Sequence, residues 1–443
     1  IARYVLGVGT NFGEVGQGDA ILVIASDLHQ EAPVWWLRVK QAAERGATLI
    51  VANPRPTRLD KFATHSLRYA YGQETASLAA FLSGAQSSDG FGVAAEALAR
   101  AENLIVIYGS EGLGLEGSQA VAQTAGALLA ARGKIGQPKN GLLAVWPQAN
   151  TQGVWDAGFR PAADLVKELQ SADVLLAAAA DPAGDSPALA AAVDAAGFVI
   201  VQDLFLSETA RRADIVLPVQ PFAEREGSFT SGERRLQRYF PAMPARSETR
   251  PDFAIAALIG QRLGLTLEAR AASLVFLRLA AEQPAYAGMT YQRLVETTEQ
   301  WPIIGRSDLY YGGTAYDNKL GLGIQLPLLP GGETPQAAQQ AAVAPVGDGL
   351  LLLPITRLYD QGTTVTPSEL LAQRLEAATI WLNPATAARL DLEDGARVRI
   401  SRRRRPGPAQ RWHSRFWSAG GRGPTPGTRE GIVKENCAWL LLP

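Results

Sequence analysis

The chain predicts a doubly wound α/β fold with mostly parallel sheets, and three observations carry that expectation. Short runs rich in Ile and Val, such as DAILVIAS at 19–26 and NLIVIY at 103–108, have no polar alternation and read as strands buried on both faces. Stretches with helical spacing alternate with these runs. Glycines or polar turns punctuate the alternation, as Gly46 does between a helix and the next strand.

Taken in order, residues 19–26 form the first strand. Residues 33–45 form a helix through Val34, Leu37, Val39 and Ala42, and 47–52 (ATLIVA) form the second strand. This is a β-α-β unit with a right-handed crossover. The rhythm continues with a helix at 94–101, a strand at 103–108 and an Ala-rich helix at 117–132. A helix at 163–170 and a strand at 173–179 follow, then a helix at 188–196, a strand at 197–202, a short helix at 207–213 and a strand at 214–218. An amphipathic helix at 253–263 closes at Gly264. From Trp301 the texture changes. Residues 307–329 are rich in Gly, Tyr and Asn, and 331–345 read as an Ala-, Gln- and Pro-rich linker. Strand-like pieces at 350–354, 378–382 and 396–400, with a short helix at 383–390, suggest the start of a small, truncated β-barrel domain. Residues 402–443 carry nine basic and two acidic side chains among irregularly spaced aromatics, and read as an irregular basic tail of the kind a shifted reading frame would produce. The expected divisions are thus 1–102 and 103–300 as two α/β regions, 301–345 as a Gly/Tyr-rich segment and linker, 346–401 as the barrel start, and 402–443 as the tail.

Composition narrows the function. With 443 residues and 47% apolar side chains, cores for two to four domains can be buried. A net charge of −1 gives no general attraction to nucleic acid, and no apolar run is long enough to enter a membrane directly. The single cysteine, Cys437, excludes an internal disulfide framework. The chain starts at Ile1 with no signal-peptide pattern, and so reads as part of a longer product.

Several blocks together resemble the molybdopterin oxidoreductase superfamily. They are 109–117, QANTQG at 148–153, QDLFLSETA at 202–210, ADIVLP at 213–218, FAEREGSFTSGERRLQR at 222–238 and RPDF at 250–253. The resemblance runs from about 18 to 400 and implies domains like those of formate dehydrogenase and DMSO reductase. Within the superfamily, YGGTAYDN at 311–318 and the lack of a metal-binding cysteine make the chain look most like the C-terminal part of the large cluster-bearing subunit of NADH-quinone oxidoreductase, respiratory complex I. That likeness implies a scaffold carrying no cofactor of its own, with iron–sulfur clusters in a missing N-terminal region. It also implies the peripheral-arm subunits of complex I as partners, and a cytoplasmic location at the inner face of the cell membrane. The other reading is an active molybdenum or tungsten bis-pterin enzyme of the formate dehydrogenase type.

In catalytic relatives the strand-end loops hold molybdopterin guanine dinucleotide, so candidate residues of a vestigial or retained pterin site can be named. After the second strand, where the family's loop usually reads Asp-Pro-Arg, this chain has Asn53-Pro54-Arg55: a neutral hydrogen-bonding amide, then a cation able to bind phosphate. These residues could equally end a strand and cap a carbonyl. Gly109, Ser110 and Glu111 follow a strand and precede a helix, where backbone N–H groups can cradle phosphate; a tight turn explains them as well. Gln148, Asn150 and Gln152 offer amides suited to pterin edges, or a loop that satisfies itself. No catalytic residue and no metal ligand is assigned. The charged group Glu224, Glu226, Glu233, Arg234, Arg235 and Arg238 reads as an ion-pair network, and His29, His65 and His413 are too far apart for a local metal motif. Of the adjacent pair Trp35-Trp36, one ring is expected in the core, the other either partly buried or facing a partner.

Overall fold

A computed structural model describes residues 3–83, 90–111, 114–268, 270–295, 323–329 and 334–338, much of 350–402, and 429–433. The chain divides into two compact units, Ile1–Gln340 and Ala341–Pro443.

The first unit opens with β1 (Asp19–Ile24), the short α1 (Leu28–Glu31), α2 (Pro33–Glu44), β2 (Thr48–Ala52) and β3 (His65–Leu67). Helices α3 (Glu74–Ser83) and α4 (Gly90–Arg100) lead to β4 (Asn103–Tyr108), α5 (Gly114–Ala131) and β5 (Gly141–Ala144). These five strands make one parallel sheet in the order β3-β2-β1-β4-β5. The sheet is covered on both sides, which is why its strands carry apolar residues at every position. Ala20, Leu22 and Ile24 of β1 enter one core with Leu78, Phe81, Leu98 and Leu128 of the helices. Ile21 and Val23 enter the other, with Leu28, Val39 and Ala42. Trp35 and Trp36 both pack partly buried against that second core, Trp35 against Phe12 at 5.0 Å and Trp36 edge-on to Phe62 at 6.0 Å. The division expected at 102/103 falls inside this sheet, because β4 pairs along its whole length with β1.

After α6 (Thr151–Asp156) and α7 (Leu165–Gln170), a second parallel sheet joins β6 (Leu175–Ala178), β7 (Val199–Asp203) and β8 (Ile215–Pro218) in that order, with α8 (Pro182–Asp185) and α9 (Pro187–Ala195) in the first crossover. Ala177, Val199 and Val201 pack onto Leu169, Ala192 and Val193 of α7 and α9. The registered row Leu176–Ile200–Ile215 points the other way, and Leu176 and Ile215 are 43% and 42% exposed. Helices on both faces were expected; among the described residues this sheet is covered on one. The segment expected as a helix at 207–213 is only a tight turn over Ala210–Arg212.

A hairpin of β9 (Gly227–Thr230) and β10 (Arg235–Tyr239) is extended by β11 (Ile324–Gln325) and packs on α11 (Ala272–Glu282) and α12 (Tyr291–Val295), with α10 (Asp252–Arg262) just before them. Arg234, in the hairpin turn, is fully buried at a left-handed φ of 56°. Its Nε donates to Asp156 Oδ2 (3.3 Å) and its Nη1 to the Pro327 carbonyl (3.0 Å). The expected ion-pair network is present around it, with Arg238 to Glu226 at 2.7 Å and Arg235 to Glu233 at 2.8 Å.

In the second unit, α13 (Pro384–Arg389) is capped by the Asn383 side chain. Strand β12 (Val398–Arg402) pairs in parallel with β13 (Arg429–Val433). The expected tail thus contributes a strand, and no closed barrel is formed among the described residues. Cys437, His413 and the tract 311–318 lie outside the described residues.

Candidate functional site: two strand-end crevices

In an open parallel sheet, ligand crevices lie beyond the carboxyl ends of the strands, where the strand order reverses. In the first sheet that reversal falls between β1 and β4. The loops after β1, β2 and β4 converge there and bring Asn53, Arg55, Gly109, Ser110 and Glu111 together. Glycine is required at 109, since a Cβ there would lie 2.5 Å from the Ala25 carbonyl oxygen and 2.8 Å from the Ser26 side chain.

Arg55 is the cation of this crevice, and carboxylates hold it. Its Nε donates to Glu111 Oε1 (2.6 Å), while Nη2 donates to Glu111 Oε2 and Asp27 Oδ2 (both 3.0 Å). Burial works against its charge, but Glu111 and Asp27 outweigh that and raise its pKa above the ordinary value. Of the two readings of Arg55, phosphate binder or strand-end residue, the guanidinium is engaged here in an internal bidentate pair. Tyr71 also donates to Glu111 (3.4 Å), and burial, reinforced by the Glu111 charge, pushes its hydroxyl up to about 12. Glu31 lies beneath: Ser26 Oγ (2.5 Å) and the Asp27 N–H (2.9 Å) both donate to its Oε2. Burial, with the Glu111 and Asp27 charges adding to it, pushes Glu31 up to about 7. Asn53 has no exposed surface, and neither atom of its side-chain amide has a hydrogen-bond partner among the described residues. One oxygen of Asp27 is likewise buried and unpartnered. Leaving such groups unmatched costs about 1–3 kcal/mol each, so Asn53 and Asp27 hold polar capacity that the described residues do not use.

The second sheet repeats the strand-end geometry. Ala25 after β1 and Ala179 after β6 both sit at left-handed φ, 53° and 52°. The Ala25 N–H donates to the carbonyl of Ala52 (3.3 Å), and the Ala179 N–H to that of Gln202 (2.9 Å). Two residues after each alanine comes an aspartate, Asp27 or Asp181. One residue after each accepting carbonyl comes Asn53 or Asp203. Asp203, 9% exposed, is therefore the counterpart of Asn53, with its Oδ1 accepting from the Leu204 N–H (2.7 Å). Asp181 Oδ1 accepts from both the N–H and the hydroxyl of Thr209 (2.7 Å each). Sequence reading singled out neither aspartate as a site residue. The signal was there, in a strand ending Ala-x-Asp that occurs twice.

Gln148, Asn150 and Gln152 are placed elsewhere, around α6. Asn150 Oδ1 accepts from the Thr230 N–H (2.9 Å), tying α6 to β9. Gln152 accepts from Trp146 Nε1 (3.1 Å) and donates to Asp156 Oδ1 (3.0 Å). These two amides satisfy themselves within the fold, while Gln148 lines a separate cleft. His29 serves the fold: its Nε2 accepts from Arg58 Nη1 (2.9 Å) and its ring meets Trp36 edge-on at 5.4 Å. No group of three or more His, Cys, Asp or Glu side chains among the described residues is arranged to hold a metal ion, and no described helix is long and apolar enough to cross a membrane.

A family model described as molybdopterin oxidoreductase matches residues 2–262. The α subunit of F420-dependent formate dehydrogenase 2 from Methanococcus maripaludis is 26% identical over 500 aligned residues, which cover 91% of this chain and 72% of that one. A protein of Staphylococcus haemolyticus with a provisional formate dehydrogenase name is 30% identical over 214 residues, covering 47% of this chain and 21% of its own length. Among solved structures, acetylene hydratase from Pelobacter acetylenicus matches with a TM-score of 0.48 and 14% identity, over 66% of this chain and 53% of that one. The relatives overturn the assignment to the complex I branch, and with it the scaffold role in NADH-to-quinone electron transfer, because the names they carry are those of formate dehydrogenases.

Proposed function

Since the chain belongs to the molybdopterin oxidoreductase family, we propose that it is the dinucleotide-holding α/β portion of a molybdenum or tungsten bis-pterin oxidoreductase of the formate dehydrogenase type. The observation that carries this reading is the duplicated strand end. Two crevices, built on Ala25 and Ala179 with matched backbone hydrogen bonds, present Asn53 and Asp203 at equivalent positions. Two nucleotide ends of a bis-dinucleotide cofactor need two such places. The formate dehydrogenase names of the relatives supply the substrate class.

The residues fit the nucleoside ends of the group. Asn53 brings a buried donor and acceptor with no internal partner, and Asp203 a carboxylate able to accept from a base or ribose. They do not fit a phosphate at Arg55, whose guanidinium is held by Glu111 and Asp27. Bound in place, the cofactor supplies a two-electron acceptor for oxidation of formate to carbon dioxide and a proton. This chain's residues bind and orient it: Asn53 and Asp203 read its two ends, Gly109 lets the β1 and β4 loops close on each other, and the pairing of Arg55 keeps the first crevice free of a loose cation.

The test is cofactor content. Protein produced in cells that make the cofactor should carry about one molybdenum or tungsten per chain together with extractable pterin, and Asp203→Ala should lose most of both while keeping its melting temperature. Wild-type protein without either metal or pterin would refute the reading.

A further inference from the structure

The duplication at the strand ends runs further than the two left-handed alanines. Each alanine is followed, two residues on, by an aspartate that opens a short helix, Asp27 before α1 and Asp181 before α8. The Asp27 carbonyl accepts from the N–H groups of Gln30 (2.9 Å) and Glu31 (3.0 Å). The Asp181 carbonyl accepts from those of Gly184 (2.9 Å) and Asp185 (3.0 Å). A single residue then separates each short helix from the proline that starts the next, Pro33 of α2 and Pro187 of α9. The repeat thus sets a second carboxylate one helical turn beyond the first in both crevices, at Glu31 and at Asp185.

The second carboxylate is short of positive charge. In the first crevice Arg55 is shared by Asp27 and Glu111, while the donors to Glu31 are neutral, the Ser26 hydroxyl and the Asp27 N–H. Tyr71 directs its hydroxyl to Glu111. Helix α2 and the turn Arg58–Phe62 also pack against α1, and their charged groups are engaged elsewhere: Lys40 with Glu44, Arg38 with Gln41, Arg58 with His29, and Asp60 with Arg68. The charges that act on Glu31 are those of Glu111 and Asp27, both negative, and burial adds to them in favouring the neutral acid. Burial, with the Asp181 charge adding to it, moves Asp185 in the same direction. Three carboxylates of the first crevice therefore share one guanidinium, and only a proton on Glu31 reduces the surplus.

We propose that Glu31 is a proton-controlled gate on the first crevice, neutral when an anionic nucleotide occupies it and ionised when it is empty, so that nucleotide affinity is tied to pH. This rests on the reading of the crevice as a nucleotide place. Like charges disfavour each other, so a bound pyrophosphate favours the neutral acid, and the neutral acid favours the pyrophosphate by the same factor. The proton comes from solvent. Glu31 titrates at about 7 in the empty crevice. Binding therefore takes up a proton above that pH, and affinity falls as pH rises through it. Well below it Glu31 is neutral with or without the nucleotide, and the dependence vanishes.

Calorimetric titration of the full chain, produced without cofactor, tests this with GDP-mannose, a pyrophosphate diester whose phosphates carry no proton that titrates near neutrality. Repeating each titration in two buffers of different ionisation heat counts the protons taken up. Affinity should fall by about threefold to tenfold from pH 6 to pH 8. Net proton uptake should be measurable at pH 8 and absent at pH 5.5. Glu31→Gln, which keeps the acceptor oxygen, should abolish the uptake and hold at pH 8 the affinity that wild type shows at pH 6. Binding with the same affinity at both pH values and no proton uptake would overturn the gate alone, as would wild-type uptake in Glu31→Gln. No binding at any pH would overturn the gate together with the nucleotide reading beneath it.

Discussion

Glu31 shows how one residue can couple the first crevice to pH. Its carboxyl sits under Ser26 and the Asp27 N–H, with its pKa moved from 4.5 to about 7. The folded state therefore holds a proton that the unfolded chain has already released, and stability should fall as pH rises from about 4.5 to 7, then level off. Glu31→Gln keeps the acceptor oxygen and removes the charge. It should match wild type near pH 4 and exceed it at pH 8, by about 3 kcal/mol at most for a shift of this size. Urea unfolding across that range checks this, and a wild-type stability that rises from pH 5 to 7 in parallel with the variant would contradict it. Arg234 is the opposite case, a buried cation whose partner cannot be left alone. Arg234→Leu strands Asp156 and should cost about 3–5 kcal/mol, while adding Asp156→Asn should recover part of the loss. Denaturant midpoints of wild type and the two variants measure it. Asn53 and Arg55 could be read from the sequence as strand-end residues, because a strand run stops just before them. Arg55's engagement could not, since its partners stand 28 and 56 positions away, at Asp27 and Glu111, and only the sheet brings them near.

At the scale of elements, the two strand-end turns make a paired prediction. Ala25 and Ala179 hold left-handed backbone that suits glycine better. Ala25→Gly and Ala179→Gly should each be neutral or stabilising by up to about 1 kcal/mol. Gly109→Ala should lose about 1–3 kcal/mol, because the new methyl meets the Ala25 backbone. Thermal melts of the three variants decide; a destabilising change at both alanines would contradict the duplicated geometry. The strands of the first sheet were legible because burial on both faces writes itself as unbroken apolar sequence, as in β1 and β4. The β9–β10 hairpin was not: GSFT and RLQRY carry polar side chains into an ion-pair network, and local composition gives no strand period there. Strand β5 is only four residues long and gave too short a signal. The helix expected at 207–213 contracted to a turn, since Asp181 captures the N–H and hydroxyl of Thr209.

For the whole molecule, the sequence alone led to the right superfamily and the wrong branch. The fold-bearing blocks are shared by the superfamily's branches, whereas the choice of the complex I branch leaned on cysteine scarcity and on the tract at 311–318, which lies outside the described residues. On the proposed function, the matched crevices hold the two dinucleotide ends of the cofactor. Counting those ends tests this most directly: acid release of nucleotides from the purified, cofactor-loaded chain, quantified against protein. Two nucleotides per chain are predicted, with Asp203→Ala and Asn53→Leu each lowering the count, Asp203→Ala in step with its loss of metal and pterin. A count of zero or one in the wild-type protein would contradict it.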